Sequence, residues 1–318
     1  MEEPLVSIII RSFNEGWALR DTLPALQAQD FRNRELIVID SGSTDGSVDL
    51  IRQAAPRRFI AIKPHEYHAP RVMNLGMRLA ASNYVIFLNA DATPVDGHWL
   101  RPLVRALFNP QVAAVYGSQL PRPDCRAVFA SDYDACFGEH RAAAVSRGFF
   151  SMVSSGVRKD IWQRRGFNEA LQYSEDAEYV RWCRSQGFRV VYAPQSTVVH
   201  SHNYTPSQAA RRSFGEGRAE AAVWAGSPRR FNFVRTVMLG WINDVRRDLA
   251  FCLRTGRIAE WPHAWLIRAH QRSARLLGFR DGWRTYRTAA SGRGFTAPIW
   301  ASFRSDENSR AQVDPSTA

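Results

Sequence analysis

Lysine is almost missing: only Lys63 and Lys159 stand among the 42 basic residues. That arginine bias points to a GC-rich bacterial genome and says little about chemistry. Four scattered cysteines, Cys125, Cys136, Cys183 and Cys252, form no C-x-x-C pair. This excludes a zinc knuckle and a disulfide frame and leaves small apolar residues suited to a reducing compartment. No run approaches the ~18 apolar residues of a membrane span. The opening MEEPLVSIII starts acidic, with too short an apolar core for a secretory leader, which favours the cytoplasm. SGSTDGS lacks both the lysine of G-x-x-x-x-G-K-[ST] and the spacing of G-x-G-x-x-G, which argues against a kinase and a nicotinamide enzyme.

What remains is ordinary in bulk and uneven in charge. The apolar fraction is 45% over 318 residues, a chain long enough for one large α/β domain plus an appendage, or for two domains. The net charge is +12, and from Asn203 onward 19 arginines face 9 acidic residues, so the first 202 residues are nearly neutral. Any partner attracted by positive charge belongs to the C-terminal region.

LVSIII (5–10), ELIVID (35–40), RFIAIK (58–63) and YVIFL (84–88) read as strands. Helical segments near 16–29, 46–54, 70–80 and 98–108 follow them in turn, the third with Pro70 in its first turn. Strands that are apolar throughout, alternating with helices, predict a mostly parallel α/β sheet covered on both faces. Residues 118–150 read as irregular. SEDAEYVRWCRSQGF (174–188) is a further helix and RVVYAP (189–194) a further strand. The predicted organisation is a catalytic domain over 1–204, a basic amphipathic helical extension over 205–300 and a disordered tail over 301–318.

Three strands end in polar clusters: RSFNEG, DSGSTDGS and NADATP. Asn and Asp commonly end strands as turn residues, so each cluster has a bland explanation. Yet a parallel sheet gathers the carboxyl ends of its strands on one rim, where such folds bind ligands. Asp91 in NADATP is then either a turn residue or a carboxylate for a hard cation.

In their order and spacing, SIIIRSFNEG, ELIVIDSGSTDGS, HAPRVMNLGMRLA, YVIFLNADATP, SEDAEYVRW and VVHSHNYT resemble the family 2 glycosyltransferases over residues 4–205. HAPRVMNLG and HSHNYT look like the rhamnosyltransferase-type subgroup of bacterial surface-polysaccharide synthesis. The resemblance implies the GT-A fold, one nucleotide-sugar-binding α/β domain. It assigns Asp40, with Phe13, Asn14 and Glu15, to the base and ribose, and Arg71 and Asn74 to the region of the diphosphate. Arg71 and Asn74 share a helix face, with Val72, Leu75 and Leu79 packing on the sheet.

The resemblance places a D-x-D motif at Asn89-Ala90-Asp91, where the first acid is an amide here. Asp91 then binds a divalent metal, Mn²⁺ or Mg²⁺, and Asn89 and Ala90 line the nucleotide. His200 supplies a further metal ligand, with His202 the second choice or an outer partner. Asp176 serves as general base on the acceptor hydroxyl, and Ser154, Ser155, Gly156 and Trp182 flank the acceptor. Without the resemblance, Glu175 and Asp176 are also the acids expected in a first helical turn, behind Ser174 as N-cap.

The expected reaction is transfer of a sugar from a dTDP- or UDP-sugar to a saccharide or lipid-linked acceptor, with inversion. The rivals are a nucleotidyltransferase and a nucleotide-sugar-binding protein weakened in catalysis, the latter suggested by Asn89. The arginine- and tryptophan-rich stretch over 204–290 fits amphipathic helices on an anionic membrane surface or a helical cap on the catalytic domain. Nucleic-acid binding is set aside.

Overall fold

The computed structural model of the protein describes residues 3–138, 148–223 and 234–290. Eight strands form one sheet: β1 (Val6–Ser12), β2 (Arg34–Asp40), β3 (Arg58–Ala61), β4 (Tyr84–Asn89), β5 (Thr93–Pro94), β6 (Val112–Leu120), β7 (Ser154–Arg158) and β8 (Arg189–Val199). Their order across the sheet is β3-β2-β1-β4-β7-β6-β8-β5. The first four are mutually parallel, as read from their apolar runs. β7 is antiparallel to both neighbours, β6 and β8 are parallel, and β5 closes the edge antiparallel to β8. The sheet is therefore mixed: parallel across its first four strands as expected, and reversed where β7 inserts.

Along β1 the pleat sends Ile8 and Ile10 to one face and Ile9 to the other, all fully buried. That is why the strand is apolar at every position. Helices α1 (Gly16–Gln27), α2 (Ser47–Gln53) and α4 (Leu100–Leu107) cover one face, and α3 (Ala69–Leu79) covers the other. On α3, Met73, Gly76 and Met77 press on the sheet and Leu79 packs partly buried against the same core, as expected, whereas Val72 is buried and Leu75 partly buried outside that cluster. A Cβ on Gly76 would stand 2.8 Å from Ile9 Cδ1, so glycine lets this helix sit close to β1.

Two expectations are corrected here. Residues 118–150 are not irregular throughout: β6 runs to Leu120 and α5 (Ala127–Phe137) follows. Ser154, Ser155 and Gly156 do not flank an acceptor. β7 is an interior strand, both serines are fully buried, and a Cβ on Gly156 would meet Ile86, Leu107 and Val115 within 2.9 Å. Trp182 lies against the second core face beside Tyr179.

Beyond β7 come the short α6 (Lys159–Trp162) and α7 (Glu175–Ser185), the latter joining α3 on its face of the sheet. The sheet ends at Val199, and the C-terminal helices α8 (Pro206–Val223), α9 (Gly240–Thr255) and α10 (Trp261–Ala290) follow. α8 and α10 cross backbone to backbone: a Cβ on Gly278 would lie 2.0 Å from Phe214 O, and one on Gly217 2.1 Å from Arg275 O. Arg268, 3% exposed, fastens these helices to α5. It donates to both oxygens of Asp248 on α9 and of Asp132 on α5, all at 2.8–2.9 Å. The tail over 301–318 lies outside the described residues.

Candidate active site

Asp91 follows β4 and sits beneath the end of β8, where His200 and His202 leave the sheet. Asp91 Oδ2 lies 3.5 Å from His200 Nε2 and 3.3 Å from His202 Nε2. Asp91 is 2% exposed, and among the described residues neither its Oδ2 nor His200 Nε2 has a hydrogen-bond partner. Burial outweighs the Asp91 charge and pushes the His200 pKa down to about 4, so the ring is neutral at pH 7. On its other side, Nδ1 lies 3.1 Å from Gln119 Oε1 and 3.1 Å from the Tyr133 hydroxyl. With Nδ1–H given to the Gln119 carbonyl, the Nε2 lone pair is turned toward Asp91.

A carboxylate oxygen and an imidazole lone pair facing each other without a proton between them repel, at a cost the fold does not offset with other donors. A divalent cation removes that conflict. The set of one carboxylate and two imidazoles suits Mn²⁺-like ions. Asp91, His200 and His202 are thus brought together as a group that could hold a metal ion, with His202 as near to Asp91 Oδ2 as His200 is but more exposed.

Asn89 lies one residue pair away. Its Oδ1 accepts from the Arg11 guanidinium at 2.9 Å. Ala90 is fully buried in the core, so only its main chain can face a ligand. Glu175 and Asp176 open α7 as expected, but Ser174 at the N-cap has φ 58° and makes no side-chain cap bond. Burial first, then the Asp176 charge, raises the Glu175 pKa to about 7. Burial raises Asp176 as well, against hydrogen bonds from the main chain of Ala177 and Met152 and the charges of Arg11 and Arg212.

The loops after β1 and β2 are sewn together. Asn14, at φ 51°, gives its N–H to Ser43 Oγ and accepts the Thr44 N–H at Oδ1; the Glu15 N–H goes to Ser47 Oγ. Phe13 is partly buried at the start of this connection. Asp40 is 1% exposed and accepts the N–H groups of Gly42 and Ser43 and the Ser43 hydroxyl. Its turn role is realised, with limited acceptor capacity left over.

Arg71 and Asn74 do share a face, since both contact Glu169. Asn74, expected near the diphosphate, is bonded here as a structural clasp. Its amide donates to Phe167 O and Glu169 Oε1 and accepts from Trp162 Nε1 and the Phe167 N–H, all at 2.9 Å. All four of its bonds are spent. Arg71 remains 67% exposed on its side chain.

Sequence reasoning passed over Arg11, Gln119, Arg122, Tyr133 and Arg212. Arg212, on α8, bonds Tyr204, whose ring stands 5.4 Å from that of His202. One signal was available: Gln119 and Arg122 end β6 as Asp91 ends β4, by the same rule of polar groups beyond an apolar run.

Comparison with known proteins agrees with this geometry. Residues 7–174 match the glycosyl transferase family 2 model. The O-antigen chain rhamnosyltransferase RfbN of Salmonella typhimurium is 28% identical over 67% of this chain and 71% of its own length. Glycosyltransferase AglE of Haloferax volcanii is 25% identical over 86% of this chain and 95% of its own. In fold, the chain is similar to the mannosyltransferase PcManGT of Pyrobaculum calidifontis, solved with GDP-Man and Mn²⁺. The TM-score is 0.61 at 18% identity, over 89% of this chain and 88% of that one. A domain match across more than half the sequence, on a sheet of this topology, places the chain in glycosyl transferase family 2.

Proposed function

We propose that the protein is an inverting glycosyltransferase that moves rhamnose or a related hexose from a dTDP- or UDP-sugar to a hydroxyl of a saccharide or lipid-linked acceptor. The observation that carries this reading is the convergence of buried Asp91 and His200 with half-buried His202 at the carboxyl rim of the sheet. The likeness to RfbN supports rhamnose. Asp91, His200 and His202 hold Mn²⁺ or Mg²⁺, which when bound stabilises negative charge on a departing diphosphate.

The chain's own groups do the rest. The loop carrying Phe13, Asn14 and Glu15, joined to Asp40 through Ser43, receives the base and ribose, and Asn89 with the Ala90 main chain borders the ribose. Arg71, exposed on α3, attracts the diphosphate. The Asp176 carboxylate takes the proton of the acceptor hydroxyl while that oxygen bonds to the anomeric carbon and the bond to the diphosphate breaks. A base so placed is worth roughly 10²–10⁴ in rate. The reading divides the chain into a catalytic unit over 1–204 and a helical extension from 205, and places it in the cytoplasm.

No helix among the described residues is long and apolar enough to cross a membrane. Met238, Ile242, Leu253, Trp265 and Leu266 are exposed on the C-terminal helical region amid arginines, which supports peripheral contact with an anionic membrane bearing the acceptor. Sedimentation with anionic liposomes at low salt, reversed by salt, tests that contact; no sedimentation removes it. For the activity, dTDP-, UDP- and GDP-sugars are screened with and without Mn²⁺. Release of a nucleoside diphosphate supports the proposal. Release of pyrophosphate supports a nucleotidyltransferase, and binding without turnover supports a weakened binding protein.

A further inference from the structure

The loop that leaves β6 reads Pro121-Arg122-Pro123. One proline fixes φ before the arginine, and the next restricts Arg122 itself to extended backbone. The last bond of the β6–β8 ladder region, from His200 N–H to Leu120 O at 2.9 Å, sets Arg122 beside Ser201. From there the Arg122 N–H donates to Ser201 Oγ at 2.9 Å, and its guanidinium donates to Ser201 O at 2.8 Å and to Asp91 O. The outer face of the same guanidinium lies 4.6 Å from the ring centroid of Trp17, in the first turn of α1.

Ser201 stands between His200 and His202, and Asp91 is the third donor. One side chain therefore grips the main chain of both segments that carry the cluster. Those segments also meet where β5 pairs with β8, at Thr93↔Val199 and Pro94↔Val198, with the Val95 N–H given to Thr197 O at 3.1 Å, but none of these contacts reaches Asp91 or Ser201 themselves. A planar fork with several fixed donors can span two carbonyls and still stack on an indole; an ammonium cannot do both.

We propose that Arg122 is a positioning residue for the cation site, tying the Asp91 main chain to that of Ser201 and so setting the spacing of the Asp91, His200 and His202 donors. The inference rests on the cation site proposed above. Partners that orient metal ligands are typically worth about 10–100-fold in metal affinity, and the same range is expected here.

The test is titration of the full chain with Mn²⁺ alone, following the free aquo-ion signal by electron paramagnetic resonance, for wild type, Arg122→Ala and Arg122→Lys. Thermal midpoints are measured without metal. Expected is an Arg122→Ala dissociation constant about 10–100-fold higher, with Arg122→Lys weakened several-fold despite its retained charge. A role in stability alone would lower the midpoint and leave the Mn²⁺ affinity of the folded chain unchanged, which overturns the proposal. If Arg122→Ala does not fold, Arg122→Lys decides: wild-type affinity in that variant overturns the proposal equally. Failure of wild type itself to bind Mn²⁺ removes the site and the proposal with it. That result is distinct from tight binding by wild type and variants alike, which sinks the positioning role alone.

Discussion

Arg11 and Asn89 face each other across adjacent parallel strands, and the Arg11 guanidinium donates to Asn89 Oδ1 over 2.9 Å. Where the family resemblance anticipates an acid, this chain has an amide already held by a cation. An aspartate at 89 would meet Arg11 first and form an ion pair with it. Asn89→Asp is therefore expected to change Mn²⁺ affinity by less than about threefold, since the added charge is spent on its neighbour. Calorimetric titration of Asn89→Asp alone, and combined with Arg11→Met, checks this. A large gain in the single variant would contradict it.

Asp176→Asn removes the proposed base and leaves the nucleotide loops untouched. Turnover should fall by roughly 10²–10⁴ while donor affinity stays within about twofold. Initial rates and equilibrium binding of the donor separate the two effects, and surviving turnover would move the base elsewhere.

Glu175 and Asp176 also fix a pH dependence. Burial raises both, with Glu175 at about 7, so the rate should rise with pH as the pair loses protons. Glu175→Gln removes the neighbouring charge and should shift that limb to lower pH. For stability the sign is opposite. A carboxyl whose folded pKa exceeds its unfolded 4.5 stabilises fully below 4.5 and loses that contribution as pH rises through 7. Glu175→Gln should thus melt higher than wild type at pH 8 and show no such gain at pH 4. Paired melting curves at the two pH values give the answer.

Asn74 provides a contrast. Asn74→Ala leaves Trp162 Nε1–H and the Phe167 N–H buried without their shared acceptor. The expected cost is about 2–4 kcal/mol of stability, with donor affinity of the folded protein unchanged. Denaturant unfolding and donor binding on the same sample test this. A loss of donor affinity without destabilisation would return Asn74 to the nucleotide.

The parallel half of the sheet was legible because strands buried on both faces must be apolar at every position, as Ile8, Ile9 and Ile10 are. Polar residues after such runs then mark the rim, which is how Asp40 and Asp91 stand out, whereas His200 is reached only through the family resemblance. The reversed strand β7 was not legible: SSGVR carries a single β-branched aliphatic residue, and its place between β4 and β6 is set by tertiary packing. For the same reason Ser154 and Ser155 looked available when they are core residues. Asn74 misled because its spacing from Arg71 fixes a face, while what covers that face comes from residues 162–169, far along the chain. Arg122 and Tyr133 fell within a stretch whose helix and loop lack a strong apolar period, so only the fold brings them to the histidines.

The central claim is that Asp91, His200 and His202 form one divalent-cation site serving transfer from a nucleotide-sugar. It is tested most directly by titrating Mn²⁺ into wild type, Asp91→Asn, His200→Ala and His202→Ala in the presence of a nucleoside diphosphate. The account predicts one ion per chain in wild type and at least about tenfold weaker binding in each variant. Wild-type Mn²⁺ affinity in Asp91→Asn would contradict it.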